Sequence, residues 1–285
     1  MTTRTGGTSS TVAGIARPAR SLPENGGRDL LHSRRALVIG LRLLLVLIFL
    51  VGWQYVVASG ALSESVLAKP TTIVGEFGTL LTTGAFWSAA WSTTWTWAVG
   101  LLAATLIAVP LGLLLGSSRL AYRLSRFTID FLRTIPPIAL IPLVLLLFGA
   151  TEKMALILVI FGSTGSLVLA SMYGVQNVDP VVRDLARSFR LRRRDVIGRI
   201  LLPSAAPFIA TGLRVSAAIA LLLTIGAELI GGAPGLGNAM SVAQQSDHIP
   251  EMYCYIVASA VIGALVNLLI GRAEGRVLRW SPLHR

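Results

Sequence analysis

Cysteine occurs once in the 285 residues, at Cys254, so an intrachain disulfide is excluded and a cysteine-built zinc site with it. Histidine occurs three times, and His32, His248 and His284 are too scattered to support a metal centre or a catalytic triad. Lysine is nearly missing: Lys69 and Lys153 are the only two, and neither follows the glycines of a phosphate-binding loop. Energy from nucleotide hydrolysis would have to come from another chain. Charge of either sign is scarce, at 13% of residues against 54% hydrophobic, and the mean hydropathy is +0.72. That leaves too little polar surface to cover a soluble globule, and a membrane is the expected solvent. The formal net charge of +12 is almost all arginine, sitting between long apolar runs rather than on a soluble domain. Binding of nucleic acid, which needs a basic patch, is not expected.

A hydrocarbon core about 30 Å thick needs about 20 helical residues. Six apolar runs approach that length, at 36–58, 89–115, 134–149, 154–175, 205–230 and 254–271. The third is short, which predicts a helix starting upstream near Ser125 and kinking where Pro136–Pro137 removes backbone donors. The first follows Arg34 and Arg35, but its apolar core outruns that of a cleaved signal, and it reads as a retained helix. Residues 1–33, without apolar periodicity, read as a disordered basic cytosolic tail, and 34–285 as one transmembrane domain. With the amino terminus inside, the cytosolic segments carry nearly all the arginines, including Arg119, Arg123, Arg126 and Arg133, while the outer segments hold only Lys69 and Lys153. The positive-inside rule then sets both termini in the cytosol. Trp87, Trp91, Trp95 and Trp97 open the second run as an aromatic belt at the outer interface.

The inner segment 177–203 has more order than a topology anchor requires. Asp179 followed by Pro180 is a helix start, the carboxylate capping free amides and proline suiting the first helical position. Val182, Leu185, Ala186 and Phe189 then fall at i, i+3, i+4 and i+7. A second start at Asp195 leads to Val196, Ile197, Ile200 and Leu201. The pattern predicts two short amphipathic helices, each with its apolar face on the membrane domain and its polar face toward the cytosol as a docking platform. A basic loop that only fixes topology is the competing reading.

Counted back from Ile200, Leu202 and Pro203, the residues Asp184, Leu185, Ala186 and Arg190 keep the spacing of E-A-A, three residues, Gly, nine residues and I-x-L-P. That segment resembles the one found in permease subunits of binding-protein-dependent ABC importers. Aspartate stands for the glutamate, leucine for the first alanine, and Arg190 for the glycine of a tight turn. Leu67–Pro70 ahead of a short segment 71–83, "RTIPPIALIPLVLLLFG" at 133–149, "GVQNVDP" at 174–180, "LPSAAPFIATGLRVS" at 202–216, "AELIGGAPGLG" at 227–237 and "VLRW" at 277–280 extend the likeness over residues 50–280. These fragments are similar to the nitrate/sulfonate/taurine branch. Ser166 stands where that branch often has proline, so a straighter fourth span is expected.

The resemblance implies an all-α integral membrane protein of six transmembrane helices, the type I importer permease fold, in a bacterial inner membrane. It implies as partners a second permease copy, as a homodimer or in a pair, two cytosolic ATP-binding subunits and an extracytoplasmic solute-binding protein. This chain would bind no cofactor and would not be an enzyme; ATP and Mg belong to the partner ATPase. The contacts with that ATPase would be Asp184, Leu185, Ala186, Phe189, Arg190, Leu191, Arg192, Arg193, Arg194, Ile200, Leu202 and Pro203. The arginines would meet acidic rims, and Phe189 or Leu191 an apolar pocket. The implied solute is a small anion of the aliphatic sulfonate, taurine or nitrate class, with a thiamine pyrimidine precursor left open.

Pro136, Pro137, Arg214, Ser216 and Glu228 are the candidates for the pathway or its gate. For Arg214 two readings stand: an arginine reaching to the headgroups, or a cation lining the inner pathway and favouring an oxyanion. Glu228 reads as an outer gate or receptor contact, or as a solvated end charge, and the glycines of 231–237 bend the loop beside it. The competing function class is a secondary transporter or channel. It would need acidic or histidine relays in mid-membrane, and apart from Arg42, Arg214 and Glu228 at the outer end of the fifth run the spans hold no charged group.

Overall fold

A computed structural model of the chain describes residues 26–63 and 66–278. All of its regular structure among these residues is helical. Residues up to Gly52 cluster as one unit and Trp53–Arg285 as another. The first unit contains most of α1 (Gly26–Ala58), whose apolar side chains from Leu44 to Val51 are all exposed, as suits a helix solvated by lipid. Residues 26–33, expected as part of a disordered tail, are helical within α1; the rest of that expected tail, 1–25, lies outside the described residues.

In the second unit α2 (Pro70–Leu80) and α3 (Gly84–Ser117) are followed by α4 (Arg119–Thr134), a 3-10 turn at Pro137–Leu140 and α5 (Ile141–Phe148). Then come α6 (Glu152–Gln176), the short α7 (Pro180–Ser188) and α8 (Arg193–Val196), a π turn at Ile197–Leu201, α9 (Leu202–Gly231), α10 (Leu236–Gln245) and α11 (Ile249–Val277). Among the described residues five helices are long and apolar enough to cross a membrane, or six if the bent pair α4 and α5 counts as one span. That pair turns through 70° at the proline pair, where the kink was expected, although α4 begins at Arg119, ahead of Ser125. Proline pushes the residue before it out of helical geometry, and Ile135 and Pro136 are both extended.

The core is built on α6, which packs against α3 on one side and α9 on the other. Without water to drive association, membrane helices gain most from close backbone approach, and small residues mark the contact: Ala104, Ala108, Ala217 and Ala220 are fully buried. A side chain at Gly112 of α3 would put its Cβ 2.4 Å from Ser171 of α6, so only glycine fits there. Helix α6 runs unbroken through Ser166, as its lack of proline predicts. A second cluster joins α2, α10 and α11 through Ile73, Leu236, Cys254 and Tyr255. Trp87, Trp91 and Trp95 are exposed as a belt requires, but Trp97 donates its Nε1 hydrogen to the Ala217 carbonyl at 3.0 Å and belongs to the packing.

Candidate functional site: the 177–203 handle and the clefts above it

Helix α7 begins as its sequence dictates, the Asp179 carboxylate accepting the Val181 amide at 2.8 Å. Its apolar stripe does not lie on the membrane domain. Ala186 is buried at 5% exposure, but Leu185 and Phe189 are 51% and 74% exposed and Val182 is exposed as well. The inward side chain is instead Arg183, half-buried, whose guanidinium donates to the carbonyl of Val175 at the end of α6. Backbone carbonyls left free at a helix end attract a cation, and this one fixes α7 by its polar edge. The expectation of an inward apolar face is therefore corrected: the stripe is turned away from the body. A cavity of 730 Å³ separates much of α7 from the end of α3.

The turn after α7 needs the glycine that the sequence lacks. Phe189 donates its amide to the Leu185 carbonyl at 2.9 Å as the last helical bond, and Leu191 donates to that of Ala186 at 3.1 Å, the six-to-one closure of a Schellman cap. In such a cap the residue between them adopts a left-handed conformation, and Arg190 does so with φ of 47°. Asp184, Leu191, Arg192 and Arg194 are exposed around it. Arg193 opens α8, two residues ahead of the expected start at Asp195, and Asp195 pairs with Arg199 one turn on at 3.6 Å. The second helix is not separate. It passes through the π turn straight into α9, where Leu202 and Pro203 form the first turn. The missing proline amide is absorbed by that wider turn. Here the apolar face does pack inward, with Val196, Ile197, Ile200 and buried Leu201 against Leu113 and Val175.

Of the pathway candidates, two are structural. Ser216 is buried, and it and Ser163 each donate to the other's backbone carbonyl, at 3.1 and 3.4 Å, riveting α9 to α6. Glu228 is 0% exposed, not a solvated end charge. Its Oε2 accepts the Thr93 hydroxyl and the Gly237 amide, both at 2.9 Å, and Thr93 in turn accepts the Leu236 amide at 2.9 Å. The carboxylate thus fastens the loop 232–237 to α3 and α9. Gly235, with φ of 151°, touches the clamp so closely that a Cβ would stand 2.1 Å from the Glu228 carboxyl carbon. Sequence spacing missed this because the partners are 135 positions apart.

Arg214 is paired rather than free. Its Nε donates to Asn267 at 3.1 Å and its Nη1 lies 3.8 Å from Glu274, tying α9 to α11. Pro136 is exposed and Pro137 half-buried at the bend. Beside the bend lie two clefts. One, of 450 Å³, runs between α6 and α9; the other, of 710 Å³, runs between α3, α4 and α6. Both are lined by Arg133 and Ser166. The Arg133 stem lies across Gly165, where a Cβ would come within 2.8 Å of its Cγ. Counting it among the topology anchors hid this position.

Residues 108–279, from the middle of α3 to the end of α11, match the family described as binding-protein-dependent transport system inner membrane component. The chain is 31% identical to the aliphatic sulfonates transport permease protein SsuC of Escherichia coli (strain K12), over 81% of this chain and 88% of that protein. It is 29% identical to a probable ABC transporter permease of Brucella abortus (strain 2308), over 85% of this chain and 96% of the relative. It is 30% identical to the nitrate import permease protein NrtB of Leptolyngbya laminosa, over 64% of this chain and 65% of that protein. Among solved structures, an inward-facing methionine ABC transporter, MetNI, has a chain of the same fold, with TM-score 0.59 at 18% identity, covering 67% of this chain and 95% of that one.

Proposed function

The chain belongs to the binding-protein-dependent transport system inner membrane components, the permease part of ABC transporters, and from that premise we propose that it forms the pathway of an ATP-driven importer for a small anion. The observation that carries the reading is α7: an apolar stripe through Val182, Leu185 and Phe189 that a helix at a membrane protein's edge leaves exposed only if something covers it. The cover is a cytosolic ATPase subunit, with Arg190, Arg192 and Arg194 at its rim. ATP and Mg bind to that subunit, and two copies of it work on two copies of this chain. Each copy crosses the inner membrane six times with both termini in the cytosol, α4 and α5 counting as one broken span.

The mechanism follows from rigidity. Because α8, the π turn and α9 are one continuous rod, a displacement at 193–201 is transmitted to the body rather than lost in a hinge. Closure of the ATPases on ATP would tilt α9 against α6 and alternate the access of the clefts. An extracytoplasmic binding protein delivers the solute, of the sulfonate, taurine or nitrate class named for SsuC and NrtB relatives.

Uptake by the reconstituted assembly tests this. Labelled taurine, ethanesulfonate and nitrate are offered to proteoliposomes that enclose ATP, with the binding protein outside. Uptake of at least one anion is expected only when both ATP and the binding protein are present. Uptake that persists without ATP would assign the chain to the secondary transporters.

A further inference from the structure

Two clefts meet at one cation. Arg133 ends α4, two positions ahead of the extended residues of the bend, and lines both cavities together with Ser166. Among the described residues no carboxylate and no hydrogen-bonding side chain pairs with it, whereas Arg126 and Arg214 both have acidic partners. The Arg133 stem lies across Gly165, and Gly165 and Ser166 stand near the middle of the membrane-spanning α6. A guanidinium at that depth is costly unless it faces water or an anion, and here it faces open space.

The lining says which anion. A guanidinium offers a planar fork of donors that matches two oxygens of an oxyanion, and the Ser166 hydroxyl adds one more. The rest of the narrower cleft is mostly apolar, with Leu169, Phe208 and Val215 in its wall. We infer that Arg133 and Ser166 form the anion-holding station of the pathway, binding the oxygens of a sulfonate or nitrate while the apolar wall receives a short alkyl tail. This rests on the importer reading and gives its substrate a position. Arg214, held between Asn267 and Glu274, does not serve that role.

The test uses the full chain in membrane vesicles, with Cys254→Ser removing its one cysteine and Ser166→Cys placing a reporter in the cleft. Two thiol reagents of similar size are compared, methanethiosulfonate ethylsulfonate and its trimethylammonium counterpart. With Arg133 present, the anionic reagent is expected to react at least about tenfold faster relative to its rate on a small thiol in solution. Arg133→Gln should abolish that preference, Arg133→Lys should keep it, and millimolar ethanesulfonate should slow labelling only in chains with a cation at 133. Equal preference with and without the cation overturns the station, as does a cysteine that neither reagent reaches. Because the measurement needs no ATPase, its failure leaves the importer reading standing. Charge-selective labelling in a chain that recruits no ATPase would do the reverse.

Discussion

Arg190 sits in a conformation that a side chain resists, and the resistance has a size. The left-handed region costs a residue with a Cβ about 1 kcal/mol relative to glycine, and φ of 47° at Arg190 places it there. Arg190→Gly should therefore raise the stability of the α7 turn by about that amount, seen as slower amide exchange at Leu191, whose amide closes the cap. Faster exchange in the glycine variant would mean that the arginine side chain, not the cap, holds the turn. At Glu228 the argument concerns satisfaction. Glu228→Ala leaves the Thr93 hydroxyl and the Gly237 amide buried without their acceptor, a loss of about 2 to 4 kcal/mol, while Glu228→Gln keeps an acceptor oxygen for both. Thermal unfolding in detergent should rank the variants in that order, alanine well below glutamine. Equal melting temperatures would deny the carboxylate its fastening role.

At the scale of elements, α7 and α9 differ in what holds them. Helix α9 is riveted along its length by Ser163, Trp97 and the Glu228 clamp, whereas α7 is held by its Arg183 edge and by Ala186. Substitutions on the exposed side of α7 should thus leave the body intact. Ala186→Glu, by contrast, would insert a charge into a closed contact and report on folding rather than on docking. The spans were legible because hydrophobic length decides them: five of the six expected runs fall within single helices, while the third, 134–149, runs from the end of α4 across the proline bend and through α5 to Gly149. The direction of the α7 stripe was not legible. Periodicity identifies the apolar face but not what it meets, and here a single arginine, Arg183, captured by the Val175 carbonyl at the end of α6, reverses the face toward the body. Nor was the union of α8 with α9, since an acidic residue such as Asp195 marks a helix start only when the preceding turn is free.

For the whole molecule the arginine asymmetry predicts sidedness. In a Cys254→Ser background, Phe189→Cys should react with an impermeant thiol reagent only in inverted vesicles, and Gln245→Cys only in intact cells. Both reacting from one side would put α7 and α10 on the same face and remove the cytosolic handle. The clamp and the station were out of reach of sequence for one shared reason. Thr93 with Glu228, and Arg133 with Ser166, come from different helices, and only packing of α3, α4 and α9 around α6 brings them together. The resemblance in 177–203 rests on spacing, since helical rise and turns fix residue positions even where identities differ.

The central claim, that an ATPase grips α7 by its exposed stripe, is tested most directly by the amount of ATPase subunit recovered with the tagged chain from native membranes. The wild-type chain should bring it down in near-equal proportion, and the Leu185→Glu, Phe189→Asp variant, inserted to the same level, at least about tenfold less, since two charges must be desolvated in an apolar contact. Equal recovery with both chains, or none with either, would contradict the account.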